Sequence, residues 1–112
     1  MGFRNEIKKY SLVYRGKQSS DSKAKATIYL YAAYTKFIGQ VNFYKDSQKL
    51  PNNSAHEKVT PKQAYLSMHE HQLARVVDML RNEKPCRVYY SSPTYAYVST
   101  GAELVGEEES DE

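Results

Sequence analysis

Ala26-Thr27-Ile28-Tyr29-Leu30-Tyr31-Ala32-Ala33-Tyr34 is followed, across Thr35-Lys36, by Phe37-Ile38-Gly39-Gln40-Val41-Asn42-Phe43-Tyr44. Both runs are rich in β-branched and aromatic residues, and the short link between them predicts an antiparallel hairpin. Successive side chains on a strand point to opposite faces. Ile28, Leu30, Val41 and Phe43 therefore make an aliphatic face, and Tyr29, Tyr31, Gln40, Asn42 and Tyr44 an aromatic and polar one. Gly39, inside an otherwise bulky strand, predicts a bulge or a close approach of backbone.

Upstream, Tyr10–Arg15 alternates as a short strand, and Gly16–Lys25 is a polar loop. Downstream, Lys45–Val59 is a long polar connection. Thr60, Pro61 and Gln63 then have the form of a helix start with a capping box. Leu66, His69, Leu73, Val76, Val77 and Leu80 follow at helical spacing, and Pro85 stops the helix near Asn82 or Glu83. Cys86–Ser91 and Thr94–Thr100 read as a second hairpin, adding Val88 and Val98 to the aliphatic face and Arg87, Tyr89, Tyr95 and Tyr97 to the other. The expected fold is α+β: a mostly antiparallel five-stranded sheet in the order β-β-β-α-β-β, with one helix packed on its aliphatic face.

Charge divides the chain. Residues 103–112 carry six acids and no base, whereas residues 1–102 hold all 16 Lys and Arg against the other seven acids, a net charge of +9. The expected organisation is one domain over 1–102 and a disordered acidic tail over 103–112. One cysteine suits a reducing compartment. With no signal sequence and no apolar run longer than Ile28–Tyr34, the expectation is a cytoplasmic protein without a membrane span.

No residue pattern specifies a reaction. On a helix, His69 and His71 would point about 200° apart and could not share a metal. Cys86 lacks the second cysteine, three residues on, of a zinc deaminase signature; Tyr89 stands there. Gly16-Lys17-Gln18-Ser19 lacks the upstream glycine of a phosphate loop. We therefore expect no enzyme activity, no metal and no cofactor.

Eleven Tyr, three Phe and no Trp point instead to a half-wet aromatic surface. Flat rings among cations and amides are what binders of single-stranded nucleic acid use, because bases stack on rings. The expected binding residues are Arg15, Lys25, Tyr29, Tyr31, Tyr44, Arg87, Tyr89 and Tyr97 on one exposed face, with the acidic tail competing for it. The order of elements resembles the Whirly-like single-strand binders, which also pair a curved antiparallel sheet with helix. The competing expectation is a protein-interaction or assembly module, docking a partner or a second copy through the aromatic face or an edge strand.

Overall fold

The structure is a computed structural model and describes residues 2–17 and 23–100. The acidic tail lies outside the described residues. Within them the chain is α+β, with strands β1 (Phe3–Ile7), β2 (Lys9–Tyr14), β3 (Ala26–Tyr31), β4 (Phe37–Tyr44), β5 (Ser54–His56), β6 (Gln63–His69), β7 (Cys86–Ser92) and β8 (Tyr95–Thr100), and one α-helix, α1 (Leu73–Asn82), between β6 and β7.

The strands form two sheets rather than one. A five-stranded sheet has the order β2-β3-β4-β6-β5, and a three-stranded sheet the order β1-β7-β8. All neighbours are antiparallel except β4 and β6, which run parallel. The second hairpin thus belongs to a separate sheet, because β1, which the sequence reading left out, takes the place beside β7. β1 and β2 are separated only by Lys8, where the chain passes from one sheet to the other.

Both sheets turn alternate side chains into one core. Ile28, Leu30, Val41, Phe43 and Leu66 from the five-stranded sheet meet Ile7, Cys86 and Val88 from the three-stranded one, and Leu73 and Val76 of α1 close the side. The aliphatic set expected from the sequence is buried, apart from Val98, which is half-buried. Gly39 has φ 134°, and a Cβ there would lie 1.9 Å from the Ala64 carbonyl oxygen. Next to it the register slips, with Leu30 opposite Gly39 but Tyr31 opposite Phe37. Only glycine fits that positive φ and that close approach to β6.

The expected helix start at Thr60 is overturned. Gln63–His69 is strand β6, and the helix begins only at Leu73 after a 3₁₀ turn at Glu70–Gln72. The physical reason is period two: Ala64 and Leu66 are buried on the core face, and the backbone pairs with both β4 and β5. Thr60, Pro61 and Gln63 therefore make no capping box. The long connection Lys45–Val59 likewise contains strand β5, and the first hairpin strand ends at Tyr31 rather than Tyr34, which sits in a turn at φ 60°.

Candidate functional site

The outer face of the five-stranded sheet, turned away from the core, is read from the registers. Ser11, Tyr29, Gln40, Tyr65 and Ser54 lie side by side across five strands. Val13, Thr27, Asn42 and Ser67 form the next row. Beyond it Tyr44 stands opposite His69. There the Arg15 amide donates to the Lys25 carbonyl (2.9 Å) and the Lys25 amide to that of Phe43 (2.7 Å). Alternation places both side chains on this face, at its β2–β3 end.

At the opposite end the aromatic rings converge on Phe37. Its ring centroid is 6.4 Å from Tyr29, 5.9 Å from Tyr31 and 6.4 Å from Tyr65, in tilted or edge-on arrangements. Between the two ends runs a chain of polar contacts. Arg15 Nη1 donates to Thr27 Oγ1 (2.8 Å), Thr27 donates to Asn42 Oδ1 (2.8 Å), and Gln40 Nε2 donates to the same oxygen (3.0 Å). Thr27 is fully buried beneath this network although it points outward.

The sign of the charge is uniform. The residues that alternate onto this face from β2, β3, β4 and β6 include Lys9, Arg15, Lys25 and His69, and not one Asp or Glu. Strand positions that bring cations and no acid to a face favour a positive potential there.

Five of the eight expected residues, Arg15, Lys25, Tyr29, Tyr31 and Tyr44, share this face. Arg87, Tyr89 and Tyr97 do not. They lie on the outer face of the three-stranded sheet, where Arg4 stands opposite Tyr89, Tyr89 opposite Tyr97, and Glu6 opposite Arg87. Tyr89, Tyr95 and Tyr97 pack together there with centroids 4.9–6.2 Å apart. Two sheets that face one core direct their outer surfaces away from each other, so the single aromatic face expected from the sequence is two surfaces. Phe37 and Tyr65 belong to the first, beyond the residues expected from the sequence: Tyr65 falls in the stretch whose spacing reads as a helix, and Phe37 is turned outward by the bulge beside Gly39.

The histidines are placed differently from the helical reading. His69 ends β6 and His71 lies in the 3₁₀ turn, with rings stacked 6.1 Å apart. His69 Nε2 meets the Gln48 carbonyl oxygen (2.8 Å), and His71 Nδ1 meets Asp46 Oδ1 (3.0 Å). The hydrogen bonds from the His71 side chain and amide hold the Asp46 carboxyl below its usual value. Among the described residues no three His, Cys, Asp or Glu side chains gather closely enough to hold a metal ion. Cys86 is buried, its thiol donating to the Glu83 and Met79 carbonyls (3.3 and 3.5 Å), and burial pushes its pKa up. A raised pKa disfavours the nucleophilic thiolate. No helix among the described residues is long and apolar enough to cross a membrane.

Comparison with models of known protein families, with curated proteins and with solved structures finds no match to this chain. The element order on which the resemblance to Whirly-like binders rested also differs here, since β6 replaces the first half of the expected helix.

Proposed function

We propose that this protein is a small basic binding module for single-stranded nucleic acid, and that the outer face of the five-stranded sheet is its binding surface. The observation that carries this reading is that, among the described residues, no Asp or Glu alternates from β2, β3, β4 or β6 onto the face where Lys9, Arg15 and the Phe37 ring cluster stand. Tyr29, Tyr31, Phe37 and Tyr65 offer stacking surface to unpaired bases, whose rings a duplex keeps inside its own stack. Arg15, Lys25 and Lys9 neutralise phosphates, and the Gln40 and Asn42 amides offer polar contacts between the two ends. Acting in the cytoplasm, the module would be regulated by its acidic segment 103–112, which competes with phosphates for the same cations.

Fluorescence anisotropy with a short labelled single strand tests the reading. Three neutralised phosphates give a slope of roughly −2 in log affinity against log salt. Tyr29→Ala combined with Tyr31→Ala weakens binding about tenfold or more, from stacking of about 1–3 kcal/mol per base. Tyr89→Ala combined with Tyr97→Ala leaves it within about twofold, because those rings lie on the other sheet. Binding that depends on Tyr89 and Tyr97 instead would overturn the assignment of the face.

A second reading is favoured by the Tyr89–Tyr95–Tyr97 cluster, where Tyr95 is 59% exposed. Tyr and Arg together are the composition of a protein interface. In that reading the module docks a protein partner or a second copy through the three-stranded sheet. Loss of all oligonucleotide binding at low salt would put it first.

A further inference from the structure

Met68 and Val98 face the core, yet the core does not cover them. Met68 stands beside Phe43 in the β4–β6 register, and Val98 opposite Val88 in the β7–β8 register. Phe43 and Val88 are fully buried, whereas Met68 and Val98 are only half-buried. The difference is a cleft of about 420 Å³ between β6 of one sheet and β8 of the other, its wall completed by α1 and by Leu50 from the connection after β4. Sites for small molecules run from about 300 to 1,000 Å³.

Helical spacing sets what α1 contributes. Gln72, Arg75, Val76 and Met79 recur at the three- and four-residue intervals of one helix face, and all four line the cleft. Val76 is buried and Met79 half-buried, so they belong to the floor; Gln72 and Arg75 are exposed and stand at the rim. Met68, Val76, Met79 and Val98 thus make an apolar floor. Two of the four are methionines, whose unbranched thioethers adapt to the shape of a guest. No carboxylate is among the lining residues. Two other clefts beside α1 do have acids in their walls, Glu6 and Glu83 in one and Glu70 and Asp78 in the other.

We propose that this cleft binds a small apolar carboxylate of the medium-chain fatty acid class, with its hydrocarbon on the methionine floor and its carboxylate on Arg75. Burial of apolar surface favours the chain, and Arg75 selects the head group. Among the described residues the Arg75 guanidinium has neither an ion pair nor a side-chain hydrogen bond, so no internal carboxylate has to be displaced. Its planar fork matches a carboxylate through two parallel N–H···O bonds. His69 also lines the cleft, but its Nε2 already meets the Gln48 carbonyl oxygen (2.8 Å), which leaves Arg75 to hold the head group. One guanidinium balances one negative charge, which suits a carboxylate better than a phosphate monoester with nearly two. The inference does not rest on nucleic-acid binding, and its test uses none.

Decanoate, kept below the concentration at which it forms micelles, is the probe, and decanol is the same chain without the charge. In protein isotopically labelled at its methionine methyl groups, the NMR signals of Met68 and Met79 shift saturably with decanoate. Each signal is assigned by its loss in Met68→Leu or Met79→Leu. Arg75→Gln changes an exposed side chain outside the core. It weakens decanoate binding by about tenfold or more, from loss of a charge-assisted pair, and leaves decanol binding within about twofold. Arg75→Lys keeps the charge but loses the fork, and its affinity falls between the two. Acetate, which has the head group and no chain, moves neither methyl at the concentration where decanoate saturates. No shift at either methyl overturns the proposal. So does decanol binding as tightly as decanoate, or a decanoate affinity that Arg75→Gln leaves unchanged, since the cleft would then accept apolar guests without regard to charge. Equal shifts at the amides of Tyr29 and Tyr65 would mean adsorption to a basic surface and overturn it as well.

Discussion

Replacing Thr27 with Val isolates the contact network that organises the proposed face. The shapes nearly match, and the site is fully buried, so packing is retained and the loss is one hydroxyl. Two bonds go with it: the charge-assisted bond from Arg15 Nη1 and the neutral bond to Asn42 Oδ1, both 2.8 Å. Neutral hydrogen bonds contribute about 0.5–1.5 kcal/mol net and charge-assisted ones about 1.5–3. Arg15 and Asn42 are only half-buried, so water replaces part of what they lose, and the lower ends of those ranges apply. We expect about 2 kcal/mol, read from urea unfolding followed by far-ultraviolet circular dichroism. Thr27→Ser keeps both bonds and loses one methyl group, which costs about 1 kcal/mol. The expected order of stability is native, then Ser, then Val. If Val is as stable as the native residue, the Arg15–Thr27–Asn42 chain contributes nothing net, and Arg15 is not held on the face by it.

Two further outcomes follow from the core and from the rim of the fold. Leu73→Ala removes a buried side chain of α1 and should cost about 2–5 kcal/mol in chemical denaturation; a negligible change would mean that α1 does not close the core. Asp46→Asn removes the carboxylate bonded by His71. Because the folded pKa of Asp46 lies below its ordinary 3.8, its contribution is present above that value and lost as pH falls through the depressed one. The stability difference between variant and native should therefore close in strong acid, and a difference independent of pH would refute the assignment.

What could be read from the sequence was governed by range. Alternation in Ala26–Tyr44 marks the buried Ile28, Leu30, Val41 and Phe43 correctly, and Gly39 announces its bulge, because both signals are local. Leu66 misled because it lies seven residues before Leu73, a spacing that continues a helical stripe as well as it continues the two-residue period of Ala64 and Leu66. β1 was overlooked because Asn5 stands between Phe3 and Ile7 and spoils the apolar pattern. In the fold its Nδ2 donates to the Lys62 carbonyl (2.7 Å), which makes a polar group tolerable there. The division of the tyrosines between two sheets had no local signal at all. It is decided by the pairing of β1 with β7, whose paired residues lie 79 to 87 positions apart.

That division is also what separates the two readings of function. Both outer faces carry Tyr and Arg, so composition treats them alike. Their strand residues differ: Arg4, Glu6 and Arg87 share the outer face of the three-stranded sheet, with Glu6 paired to Lys8 at 3.1 Å, whereas among the described residues no Asp or Glu alternates onto the five-stranded face from β2, β3, β4 or β6. A polyanion approaching over a distance comparable to the ~8 Å Debye length at physiological salt senses the sum of nearby charges rather than any single cation. Under the proposed function it should therefore engage the five-stranded face first. A protein partner is held by desolvated rings rather than by net potential, and the Tyr89–Tyr95–Tyr97 cluster offers such rings. Under the proposed function, an oligonucleotide that saturates the five-stranded face should leave the Tyr89–Tyr95–Tyr97 cluster open.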